Sequence, residues 1–162
     1  MRLPAAAALA VLILLAGPDP VAAAAAFGWP LSPRPALGRA FDPPEQDWLP
    51  GHRGVDLVGT PGGPVLAAGD GVVVFAGDVA GRPVVSVDHP GGLRTTYEPV
   101  RATVRPGLRV TRGAVLGTLE PDHPGCAECL HWGLRRGRLY LDPLGLVRST
   151  PVRLKPLNGS DR

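Results

Sequence analysis

An all-β domain is the fold class this sequence predicts, and three observations predict it. Short apolar and β-branched runs recur between residues 51 and 147, glycine-containing turns separate them, and no stretch carries a helical period. The runs are Pro64 to Ala68, Val72 to Ala76, Pro83 to Val87, Leu93 to Tyr97, Val115 to Leu119 and Leu130 to Arg135. Each has the length of a strand and is too short for an ordinary helix. Many short strands with regular turn signals describe a sandwich or barrel-like domain.

The segments before and after this core read differently. The chain of 162 residues is long enough for one domain and a leader. Residues 1–25 have the order of a secretory signal peptide: the basic start Met1-Arg2-Leu3-Pro4, an apolar run from Ala5 to Ala16, the break Gly17-Pro18-Asp19-Pro20, and small residues up to Ala26. The run falls short of the roughly 20 apolar residues that a membrane span needs. Cleavage is expected between Ala22 and Ala26. The mature protein is then secreted or extracytoplasmic, in contact with the cell wall. Residues 26–50 form a proline-rich arm, in which Trp29-Pro30, Ser32-Pro33, Arg34-Pro35, Asp42-Pro43-Pro44 and Leu49-Pro50 exclude helix and central strand. Its aromatics Trp29, Phe41 and Trp48 imply that it packs on the core domain of residues 51–147. Residues 148–162 are a polar tail, expected to be flexible.

Charge narrows the partners. The formal net charge of +3 rests on arginine, Lys155 being the single lysine. Spread along the chain, it suits a surface that tolerates an anionic cell wall better than it suits a nucleic-acid patch. The strand–turn–strand segments Val65 to Val73 and Val104 to Gly117 share punctuation with biotinyl and lipoyl carrier domains, but a carrier needs a lysine at its hairpin tip and the core has none.

The residues that carry chemistry are His52 and Asp56 in Gly51-His52-Arg53-Gly54-Val55-Asp56-Leu57, with His131 in Cys129-Leu130-His131-Trp132-Gly133. Residues four apart on an extended strand share a side. Two imidazoles and a carboxylate suit Zn²⁺, and three protein ligands leave a fourth position open, as in catalytic zinc sites. His89 in Asp88-His89-Pro90 and His123 in Asp122-His123-Pro124 read first as solvated loop histidines. Cys126 and Cys129 pair as a disulfide in an oxidising compartment or remain thiols, and the spacing leaves both open.

Five motifs in order, namely Gly51 to Leu57, Pro64 to Val73, Leu93 to Tyr97, Val110 to Gly113 and Leu130 to Gly133, resemble the M23 zinc metallopeptidases, the lysostaphin- and LytM-like peptidoglycan endopeptidases. The resemblance covers about residues 29–147. It implies a compact antiparallel β-sandwich of the duplicated hybrid motif type, Zn²⁺ held by His52, Asp56 and His131, and cleavage of peptidoglycan stem or cross-bridge peptides. It also implies two auxiliary histidines, in Tyr-x-His and His-x-His motifs. Here those motifs read Tyr97-Glu98-Pro99 and Cys129-Leu130-His131, so proline and cysteine stand at both positions. Three outcomes are open. The chain is a hydrolase using substitutes, with Glu98 or His123 as base and Tyr97 or an arginine as oxyanion donor. It binds zinc without efficient turnover and engages wall peptide or a regulatory cell-envelope protein. Or Cys129 becomes a fourth ligand that closes a structural site. Trp132 and Tyr97 either line a substrate groove or pack in the core. Arg53 and Arg94 are candidates for holding a substrate carboxylate.

Overall fold

The computed structural model describes residues 26–46 and 48–148. Residues 1–25, where a signal peptide is expected, and the tail from residue 149 lie outside the described residues. Among the described residues are eleven strands: β1 (Leu37–Arg39), β2 (Gly54–Val58), β3 (Pro64–Leu66), β4 (Gly71–Val79), β5 (Arg82–His89), β6 (Leu93–Glu98), β7 (Val100–Ala102), β8 (Arg109–Val110), β9 (Val115–Leu119), β10 (Cys129–Arg136) and β11 (Leu139–Leu141). They form two antiparallel sheets. The larger runs β1-β2-β10-β6-β5-β4-β8, with β11 paired to β10, and the smaller runs β3-β9-β7. The all-β reading of the sequence holds, and the expected runs fall on β3, β4, β5, β6, β9 and β10.

Period-two alternation decides what each strand buries. On β2, Val55 and Leu57 face the core; on β10, Leu130 and Trp132 do; on β5, Val85 and Val87. The smaller sheet contributes Val65, Leu116, Leu119 and Val100 to the same cluster. Removing these side chains from water is the main favourable term in assembling the sheets, at roughly 1.5–3 kcal/mol for each large apolar side chain.

The proline-rich segment is anchored rather than free. Phe27 bridges Gly69, β1 pairs with β2, and the Trp29 ring lies 6.4 Å from that of Trp132. Its last contact matters most: Asp42 and His52 exchange two backbone hydrogen bonds, of 3.0 and 2.6 Å.

Candidate metal centre

Alternation that sends Val55 and Trp132 inward sends Asp56 and His131 to the opposite face. The register places Asp56 opposite His131, and His131 opposite Glu98. A row of three functional side chains thus crosses β2, β10 and β6. His52 lies just before β2 and reaches the same point, with its backbone clamped by Asp42.

The three expected ligands converge. His52 Nε2 and His131 Nδ1 each lie 2.9 Å from Asp56 Oδ1 and 3.1 Å from each other. Their ligand atoms form one group within 4.8 Å. His52 and Asp56 are buried, while His131 is partly open to solvent. The donor chemistry fits a cation. His52 Nδ1 lies 2.6 Å from the Ala40 carbonyl oxygen, so it carries the hydrogen and donates it. Nε2 of neutral His52 is then a bare lone pair aimed at a carboxylate oxygen. Two electron-rich atoms at that distance repel unless a proton or a metal ion lies between them. A backbone acceptor that fixes the tautomer is also the usual support of a metal-binding histidine.

Electrostatics at Asp56 agree. Burial pushes its carboxyl up, but the hydrogen bond with His131, and the positive charge that His52, His123 and His131 carry when protonated, outweigh burial and hold it below the usual carboxylate range. Gly54 makes room for the site: a Cβ there would stand 2.7 Å from His131 Nε2 and 2.6 Å from the Trp132 carbonyl oxygen.

The open side of the group faces a cleft of about 270 Å³, lined by Arg39, Gly51, His52, Arg53, Arg82, Glu98, His123, Pro124 and His131. Glu98 belongs to this cleft, as the sequence suggested, but is tied to Arg82 Nη1 at 3.0 Å. Arg53 continues into a second groove of about 550 Å³ with Arg135, Arg138 and Tyr140. Its guanidinium lies over the Tyr140 ring at 5.7 Å, and Nη2 donates to the Leu49 carbonyl oxygen at 3.2 Å. Arg94 is elsewhere, in an ion pair with Asp88.

Four expectations are corrected. Tyr97 is not an oxyanion donor. It is fully buried on the core face of β6, where its hydroxyl accepts from the Ala68 N–H at 2.9 Å and lies 2.8 Å from Thr95 Oγ1; burial pushes its pKa up to about 12. Of the two readings open for Trp132, the core one holds. Cys129 is neither a catalytic group nor a fourth ligand: it forms a disulfide with Cys126, and a disulfide sulfur is no thiolate. His89 and His123 are not solvated. His89 is buried between the Asp70 carbonyl oxygen (2.8 Å) and Thr95 Oγ1 (2.7 Å). His123 is buried at the metal group, its ring stacked on His131 with centroids 5.7 Å apart.

Two antiparallel sheets with a His₂Asp group at the mouth of a cleft define a metallopeptidase-type domain. The model of peptidase family M23 matches residues 50–143, and the chain belongs to that family. It is 59% identical over 142 residues to an uncharacterised protein of Mycobacterium tuberculosis, covering 84% of this chain and 57% of that one. The chain therefore spans little more than half the length of that relative. It is 29% identical over 101 residues to the DD-carboxypeptidase/endopeptidase Mpg of Neisseria gonorrhoeae, covering 62% of this chain and 24% of that protein. Among solved structures, the catalytic domain of the antimicrobial peptidase lysostaphin from Staphylococcus simulans shares the fold, with a TM-score of 0.62 and 23% identity over 71% of this chain and 93% of that one.

Proposed function

We propose that this chain carries an exported, zinc-dependent peptidase domain that hydrolyses peptide bonds in peptidoglycan. The observation that carries the reading is the convergence of His52 Nε2, Asp56 Oδ1 and His131 Nδ1, with the His52 tautomer set by Ala40 for a metal. Family membership supports peptide-bond hydrolysis, and the name of the Neisseria relative supports wall peptides. The disulfide supports an oxidising compartment.

His52, Asp56 and His131 would hold the ion. Bound there, Zn²⁺ would polarise the scissile carbonyl and acidify the attacking water. The arginines of the cleft supply the rest of the electrostatics. Arg39, Arg53 and Arg82 border the metal group, and Arg53 links it to the groove of Arg135 and Arg138. Guanidinium groups in a partly enclosed site recognise carboxylates in bidentate fashion. The substrate this favours is a peptide with free carboxylates beside the scissile bond, as wall stem peptides have.

A second reading rests on Pro99 and Cys129, which leave neither expected strand position with a histidine. On that reading the domain binds zinc and wall peptide, or an envelope partner, without turnover. One experiment separates the two. The zinc-loaded protein is incubated with purified peptidoglycans of several cross-link types, beside a His131→Ala variant and a chelator-treated sample. Soluble peptide fragments are expected from the wild type alone. Equal release by wild type and variant, or binding without release, rejects the peptidase reading.

A further inference from the structure

His123, one of the two candidate bases read from the sequence, borders the metal group from a loop. It belongs to the loop between β9 and β10, yet it is 9% exposed, and its Nε2 lies 3.8 Å from Asp56 Oδ1. Its ring is nearly parallel to that of His131, with 8° between the planes. It lines the same cleft as His52, Glu98 and His131. Its Nδ1 is buried with no hydrogen-bond partner among the described residues. Orphaned buried polar atoms are uncommon and call for a reason, of which a catalytic role is one.

The loop is built to hold it there. His123-Pro124-Gly125-Cys126 is a turn closed by the Cys126 N–H on the His123 carbonyl oxygen at 3.1 Å. Pro124 stands at its second position and Gly125, with φ of 83°, at its third, the residues a type II turn requires. Asp122 N–H donates to the Ala127 carbonyl oxygen at 2.9 Å, and Cys129 N–H to the Cys126 carbonyl oxygen at 3.0 Å. The Cys126–Cys129 bridge then ties this turn to the first residue of β10, two residues from His131. Gly38 on β1 leaves space for it: a Cβ there would stand 3.0 Å from Cys129 Sγ.

We propose that His123 is the proton-handling histidine of this site, delivered from the loop by the bridge that Cys129 makes. The cysteine standing where the strand histidine is expected thus takes part in replacing it. His123 stands outside the group of three ligands, so its place is beside the attacking water, whose proton it would accept at Nε2 and pass to the leaving amine. Glu98 is the rival in the same cleft, but Arg82 engages its carboxylate. The inference rests on the peptidase reading for its chemistry and on geometry alone for its placement.

The test uses the full mature chain in four forms: wild type, His123→Ala, Glu98→Gln, and the double variant Cys126→Ser/Cys129→Ser. His123→Ala is expected to lower kcat by ~10²–10⁴-fold with KM little changed. It should keep one zinc per chain and a wild-type Co²⁺ absorption spectrum. The double variant is expected to lose turnover while still binding metal, and Glu98→Gln to lose less than either. In Co²⁺-loaded wild type, the His123 ring protons should show paramagnetic shifts, and these should vanish in the double variant while those of His52 and His131 remain. Unchanged kcat in His123→Ala overturns the catalytic role. Loss of the metal in that variant overturns it in favour of a ligand. Wild-type turnover or unaltered His123 shifts in the double variant overturn the role of the bridge. If the wild type releases no fragments, the peptidase reading and the catalytic role fall together, and the Co²⁺ spectra decide the placement separately.

Discussion

Gly54 shows how a residue with no side chain shapes a candidate metal site. It sits on β2 against His131, and an added methyl would meet both the imidazole and the backbone of β10. Gly54→Ala should therefore tilt His131 away from Asp56. A weakening of zinc affinity by roughly 10–100-fold is expected, the range for lost support around a ligand. Competition with a fluorescent chelator measures it. His89 offers a different residue-scale prediction, for stability. Burial holds its imidazole below its ordinary value of 6.5, against the backbone hydrogen bond with Asp70 and the charges of Asp88 and Asp70. The folded protein then binds fewer protons than the unfolded chain. Its contribution is complete above about pH 6.5 and is lost as pH falls toward the depressed folded value. The melting temperature should drop between pH 7.5 and 5.5, and the drop should be smaller in His89→Gln.

At the scale of elements, strand pairing assembles the site and explains what the sequence disclosed. Alternation on β2 and β10 was legible because Val55, Leu57, Leu130 and Trp132 contrast sharply with Asp56 and His131. On β6 the run Leu93-Arg94-Thr95-Thr96-Tyr97 lacks that contrast. The two threonines hide the phase, and only pairing with β5 and β10 shows that Thr95 and Tyr97 point inward while Glu98 stands opposite His131. Histidines in loops were the least legible. Asp-His-Pro looks like a solvated turn in both places, yet tertiary packing buries His89 under Asp70 and folds His123 over Asp56. Local propensity carries no signal for such long-range placement. The turn between β10 and β11 supplies the element-scale prediction. It carries Arg138 to the groove shared by Arg53 and Arg135. Arg53→Ala and Arg138→Ala should raise KM for carboxylate-bearing wall peptides by several-fold to roughly 50-fold while leaving kcat within about threefold. That range corresponds to ~1–2.4 kcal/mol, of the order expected for a hydrogen bond to a charged group. Equal effects on an amidated peptide would argue against carboxylate recognition.

At the scale of the whole molecule, stability and competence are separable. The two sheets and their apolar interface involve neither cysteine in a long-range link; the bridge closes a segment of only four residues. The chain-entropy model gives such a short loop about 2 kcal/mol. Opening it should lower the melting temperature by roughly 4–8 °C and leave unfolding cooperative. Calorimetry of the Cys126→Ser/Cys129→Ser variant checks this. A collapse of the fold would show that the bridge supports the sheets rather than the loop.

That separation gives the disulfide a meaning in time. A chain with both thiols reduced would fold its sheets and hold His52, Asp56 and His131 in register, yet carry His123 on an untethered loop. It would complete its machinery only where thiols oxidise. On the peptidase reading proposed above, oxidation would act as a checkpoint that keeps the domain quiet while wall precursors are still being built. Mass spectrometry of free thiols alongside fragment release, followed through stepwise oxidation, should show the two rising together.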